Sequence, residues 1–195
     1  YNKYGISIAV SVSDVDNFGL IVGRNEGSIT DVCVYNYSDS YQKGGFVNSN
    51  NVTNIGGIVG QNGNGTTAGT IRRCFNYMNI IGGNAAGIAG NVGGKSYIEY
   101  CDNYGAITGT SSAAGILANT SASKDSVKVV TGEGENAVTT YELRFNDCVN
   151  AGHILSAENT KAAGISGSSN NMGQYNYCRN YGKVECTNNA GTVCG

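Results

Sequence analysis

Cys101-Asp102-Asn103-Tyr104-Gly105 places a thiol, a carboxyl, an amide and a phenol within five residues. That is the kind of cluster from which an acid–base or metal site is built. Downstream, Cys178-Arg179-Asn180-Tyr181-Gly182 repeats the order with a guanidinium in place of the carboxyl. The chemistry open to such clusters is narrow in this chain. The one His is His153, and its neighbours in sequence offer it no partner. No Cys-x-x-Cys is present, so zinc-finger spacing is absent. No Gly-x-Ser-x-Gly nucleophile elbow occurs either. Ser13 to Gly19 sketches a calcium loop with Asp14, Asp16 and Gly19, but Phe18 stands where an oxygen ligand is needed and no Glu closes the loop. The sequence thus names no catalytic residue, no metal ligand and no cofactor.

A cluster written more than once points to architecture. Cys-x-Asn occurs at Cys74, Cys101, Cys148 and Cys178, and more loosely at Cys33, where an extra residue precedes the Asn. A second element, Gly/Ala-Gly-Ile-x-Gly, starts at Gly56, Ala86, Ala114 and Ala163, with Ala118 replacing one closing Gly. The two alternate with a basic period of 27–30 residues. Each period carries three short apolar patches. One leads into the Cys (Ile71, Ile98). One follows the Asn-Tyr-Gly turn (Ile80, Ile107, Ile154, Val184). The third is the Gly-Ile-x-Gly element itself (Ile58, Ile88, Ile116, Ile165). None sustains a helical period, and Gly, Asn or Ser marks each junction.

Three short strands per 27–30 residues predict an all-β parallel β-helix of about six coils, right-handed by the crossover rule. A propeller blade needs about 40 residues, more than this period supplies. The chain is read as one domain over residues 1–195, with insertions at about 37–50 and 119–142. Its 30 Gly and absence of Pro fit short strands with many turns. A net charge of −2 with no basic patch argues against nucleic acid as a partner. No apolar run approaches the ~20 residues of a membrane-spanning helix, so no direct membrane insertion is expected. The chain opens on Tyr1 and is read as a segment of a longer protein, with neighbouring repeats or domains as its nearest partners.

The repeats resemble the GLUG repeat, named for its Gly-Leu-hydrophobic-Gly core. The residues that carry the resemblance are Gly57-Ile58-Val59-Gly60, Gly87-Ile88-Ala89-Gly90 and Gly164-Ile165-Ser166-Gly167, with Ile in place of the usual Leu. It covers about Phe18 to Gly195. GLUG repeats occur in large bacterial surface proteins, including adhesins and the non-catalytic regions of IgA-cleaving metallopeptidases. The resemblance implies an extracellular protein, secreted or on the bacterial surface, with no enzymatic activity in the repeats.

In a parallel β-helix, repeated residues stack into columns. Cys33, Cys74, Cys101, Cys148 and Cys178 are expected to form a column of buried thiols acting as small hydrophobes. In-register Cβ vectors make disulfides along that column strained. Cys186 and Cys194 lie off it and are candidates for one terminal bridge. Asn76, Asn103, Asn150 and Asn180 are expected to form a turn-stabilising ladder. Tyr77, Tyr104 and Tyr181, with Ala151 breaking the series, form an aromatic column that either covers the turn or stacks on sugar rings. Tyr37, Tyr41 and Phe46 gather in the first insertion and are further candidates for contact with glycan or protein. The second insertion alternates around Gly132-Glu133-Gly134 and predicts a projecting hairpin. The preferred reading is a non-catalytic stalk or adhesin module that contacts glycan or a host protein. The alternative is a carbohydrate-active β-helix enzyme of the lyase or glycosidase kind, or its carbohydrate-binding module. That alternative needs facing acids, whereas the outward column next to the thiols reads Val34, Phe75, Asp102, Val149 and Arg179.

Overall fold

A computed structural model of the chain describes residues 15–35, 46–157, 160–186 and 189–191. The chain winds as a parallel β-helix. One coil runs along strand Val59–Arg72, turns through Arg73 into the two-residue strand Phe75–Asn76, then turns again into strand Asn79–Ala86. Gly87 and Ile88 carry it into strand Ala89–Glu99, one rung on. Three sheets result. The first has six rungs, from Asn17–Gly19 through Phe46–Gly56, Asn79–Ala86 and Ile107–Ala114 to the split rungs Ile154–Ser156 with Lys161–Ala163 and Val184–Glu185 with Asn189–Gly191. The second contains Val59–Arg72, Ala89–Glu99, Leu143–Asn146 and Gly173–Asn176. The third stacks five two-residue strands, the last being Arg179–Asn180. Every pairing between coils is parallel among the described residues.

Register explains why the repeats are written alike. Ile71, Ile98, Phe145 and Tyr175 lie on successive rungs of the second sheet. Ile80, Ile107, Ile154 and Val184 do the same in the first. Each buried Ile contributes about 1.5–3 kcal/mol through removal of apolar surface from water. Phe145 and Tyr175 stack with ring centroids 4.8 Å apart, which is one rung.

The Gly-Ile-x-Gly element is a corner rather than the expected third strand. Gly57-Ile58 and Gly87-Ile88 form the bend between the first and second sheets, with Ile58 and Ile88 filling the interior. The third sheet instead lies across the coil, and its Asn residues face that corner. Asn76 Nδ2 donates to Asn103 Oδ1 (2.8 Å), Asn103 to Asn150 (2.8 Å) and Asn150 to Asn180 (2.7 Å). Each of these amides also donates to the carbonyl two residues on, at 2.9 Å in all four coils. A Cβ on Gly87 would sit 2.2 Å from Asn103 Oδ1 and 2.4 Å from the Gly115 carbonyl. Gly57 stands likewise over Asn76, and Gly115 over Asn150. Only glycine leaves room for the ladder at that corner.

A second corner precedes the third sheet. Asp31, Arg73, Tyr100, Asp147 and Tyr177 all adopt φ between 49° and 60°. Left-handed backbone costs a residue with a Cβ roughly 1–2 kcal/mol. In return the amides of Asp31, Arg73, Tyr100 and Asp147 donate to the next coil, Tyr100 to the Asn146 carbonyl at 2.9 Å.

Three further expectations are corrected. Cys33 is not in the thiol column: it pairs with Phe75 and Val34 pairs with Asn76, so Val32 takes the rung of Cys74 and Cys33 is exposed. Strand alternation decides this, because Val32 and Val34 must share the inner face and a one-residue slip would turn both outward. Val34 therefore occupies the ladder position rather than the outer column. The insertions are also narrower than expected. Phe46 to Ser49 already pair with the next rung, and Asn119 and Thr120 belong to strand Leu117–Thr120. Beyond that strand come helix Lys124–Val127 and the antiparallel hairpin Lys128–Thr131/Val138–Tyr141, the projecting hairpin the alternation predicts. Cys74, Cys101 and Cys148 are buried free thiols, each donating to the carbonyl two residues before it. Cys186 Sγ donates to the Thr160 carbonyl at 2.9 Å, and Cys194 lies outside the described residues.

Burial pushes the Cys101 thiol well above its ordinary range, which keeps it protonated and unreactive. Alkylation of the native protein followed by peptide mass mapping is expected to modify Cys33 and leave Cys101 and Cys148 untouched until denaturant is added. Protection of Cys33 equal to that of Cys101 would contradict this register.

Candidate functional site

The third sheet presents a narrow outer face set by its inner one. Its strands have two residues each, so the residue before every ladder Asn must point outward. These are Phe75, Asp102, Val149 and Arg179, with Cys33 at the head. The residue after each Asn lies at the adjoining corner. Tyr77, Tyr104, Ala151 and Tyr181 are held there by equivalent backbone bonds, Tyr104 N to Asn76 O at 2.8 Å, Ala151 N to Asn103 O at 2.8 Å and Tyr181 N to Asn150 O at 2.7 Å. The expected tyrosine column is therefore present, and Tyr35 joins it one rung before Tyr77. The register Val34↔Asn76 is what puts Tyr35 in this column.

The tyrosines differ in their surroundings. Tyr77 and Tyr104 stack face to face, centroids 4.6 Å apart and planes 8° from parallel. They are 45% and 43% exposed, whereas Tyr181 is 72% exposed. The Tyr104 hydroxyl donates to Asp102 Oδ2 at 3.1 Å. Partial burial pushes the Asp102 carboxyl and the Tyr104 phenol up from their ordinary values. The far edge of the face is charged. Arg73 grips Asp31 with two bonds of 2.6 Å, which hold the Asp31 carboxyl below its ordinary value. The Arg72 guanidinium lies 5.4 Å from the centre of the Tyr100 ring.

The ladder amides are committed to one another and to backbone carbonyls, which argues against ligand contact by Asn76, Asn103 or Asn150, all fully buried. Tyr37 and Tyr41 lie outside the described residues, and Phe46 opens the strand Phe46–Gly56. Asp14 is likewise outside them. Among the described residues no three His, Cys, Asp or Glu side chains converge on a metal-sized site. His153 Nε2 meets Glu185 Oε2 at 2.5 Å on the exposed surface.

A second cluster escaped the sequence reading. On the outer face of the second sheet, Glu142 accepts from the Tyr97 hydroxyl and forms an ion pair with Lys95, both at 2.6 Å. The Arg144 guanidinium sits 5.6 Å from the Tyr97 ring centre. Burial, with Glu142 beside it, pushes the Tyr97 phenol up to about 12, far from a working general base near neutrality. Lys95 and Glu142 are brought together only because the insertion between them loops out and returns to the adjacent rung. A rung-by-rung alignment ending at Tyr141 reveals the pair.

Comparison with models of known families, with characterised proteins and with solved structures finds no match to this chain.

Hydrogen bonds from Lys95 and Tyr97 hold the Glu142 carboxyl below its ordinary 4.5. A depressed folded value contributes stability above the unfolded value and loses it as pH falls through the folded one. Glu142→Gln is therefore expected to lower stability near neutrality by about 0.5–1 kcal/mol, as for a partly exposed pair. It is also expected to lose less on acidification than the parent. Urea unfolding in neutral and acidic buffer reads both effects, and an unchanged acid dependence would refute the assignment.

Proposed function

We propose that this chain is a non-catalytic module of a bacterial surface or secreted protein, a rigid GLUG-type stalk that contacts glycan along its tyrosine-bearing face. The observation that carries the reading is the column Tyr35, Tyr77, Tyr104 and Tyr181. These aromatic side chains are exposed, repeat at rung spacing and sit on a scaffold fixed by buried hydrogen bonds. Aromatic faces presented at fixed intervals bind with little loss of conformational freedom. Adjacent repeats or domains of a parent chain would extend the same face. The outward column does not carry the facing pair of acids that the glycosidase alternative needs. Asp102, the carboxyl of the outward column, has Phe75 and Val149 as its rung neighbours, so no second acid faces it there.

A glycan array probed with the parent chain and with a Tyr77→Ala/Tyr104→Ala variant tests the proposal. Binding is expected for the parent and is expected to weaken about tenfold or more in the variant, from loss of the ring surface that the stacked pair leaves exposed. The strand signal in circular dichroism should remain. Equal binding by both chains, no binding by either, or turnover of a polysaccharide by the parent would overturn it.

A further inference from the structure

The tyrosine column is interrupted at Ala151, and the interruption has a definite width. Tyr77 and Tyr104 fill one rung interval with two stacked rings at 4.6 Å. Tyr104 and Tyr181 stand two rungs apart, about 9.6 Å by strand spacing, and the corner position of the rung between them is Ala151, whose side chain is a methyl. A ring midway lies about 4.8 Å from each tyrosine, inside the roughly 4.5–7 Å range of offset stacking. Tyr181 is more exposed than Tyr77 and Tyr104, which cover one face of each other. The outward residue of the intervening rung is Val149. The lips differ in charge. Asp102 stands one rung below Val149 and accepts from the Tyr104 hydroxyl, while Arg179 stands one rung above it. Arg179 is exposed and makes no ion pair among the described residues, although Arg72, Arg73 and Lys183 each make one.

We infer that this gap is a slot for a single pyranose ring of an acidic glycan, a hexuronate clamped between Tyr104 and Tyr181 with its carboxylate on Arg179. An aromatic ring without polar substituents would satisfy the two faces and leave both lips unused. A sugar ring brings hydroxyls for Asp102 and, when oxidised to the uronic acid, an anion for the fork of Arg179. The inference rests on the glycan reading above and narrows it to one subsite and one sugar class.

Ala151→Tyr tests it, because a phenol at this exposed position completes the aromatic column and fills the slot. Isothermal titration calorimetry with cellotriose and with the uronic acid form of the same trisaccharide gives the readout. The parent chain is expected to prefer the uronic acid form. A151Y is expected to bind it about tenfold or more weakly while its melting temperature is unchanged or raised. R179Q is expected to lose the preference for acid over neutral sugar, about tenfold for one charge-assisted bond. Unchanged affinity in A151Y, or equal affinity of the parent for the two sugars, overturns the slot while leaving a glycan contact elsewhere on the face standing. A parent chain that binds neither trisaccharide overturns the slot, and one that also binds nothing on the array overturns the broader reading with it.

Discussion

A primary amide buried without water has two donor hydrogens and an acceptor to satisfy, and an unpaired one costs about 1–3 kcal/mol. Asn103 meets that demand by donating to the amide of the next coil and to the carbonyl two residues ahead, while accepting from the coil before. The solution works only if the same residue recurs on each coil, in register and in parallel. It also works only if the opposite corner has no side chain, because the amide occupies the space where a Cβ of Gly87 would go. Cys-x-Asn and Ala-Gly-Ile are thus two halves of one device. Their alternation in the chain reflects contact across the coil interior, and the short third sheet exists because the ladder holds it.

That constraint leaves the outside free. With Asn pointing in, its predecessor must point out and its successor must turn the corner, whatever their chemistry. The outward positions accordingly read Cys33, Phe75, Asp102, Val149 and Arg179, five side chains with nothing in common. The corner positions beside them hold tyrosine in four coils and alanine in one. Surface chemistry is written onto a scaffold that does not depend on it, and a binding face can therefore vary rung by rung without disturbing the core.

The parts of this fold that were legible in the sequence are those where identical residues stack. The period, the Asn ladder, the thiols of Cys74, Cys101 and Cys148 and the tyrosine column follow from counting, because stacking forces repetition. What escaped is what repetition does not encode. The Gly-Ile corner looks like a strand because Ile is apolar and short apolar runs suit either. Cys33 matches the thiol column by residue type, but strand alternation of Val32 and Val34 decides the register and turns the thiol outward. The polar cluster of Lys95, Tyr97, Glu142 and Arg144 joins residues from both sides of an insertion, so no local spacing announces it. The left-handed corner was hidden because Asp, Arg and Tyr share no side-chain chemistry; they share only a backbone bond to the next coil.

The most direct test of the device is a double-mutant cycle on Gly87 and Asn103, read as unfolding free energy in urea. Gly87→Ala alone forces a methyl against the Asn103 amide, and Asn103→Ala alone strands the amides of Asn76 and Asn150. Each is predicted to cost about 1–3 kcal/mol. Together they are predicted to cost less than their sum by about 1 kcal/mol or more, since removing the amide relieves the closest contact of the methyl and leaves only that with the Gly115 carbonyl. Costs that add to within about 0.5 kcal/mol would show that the ladder and the glycine corner do not depend on each other, and would contradict the account.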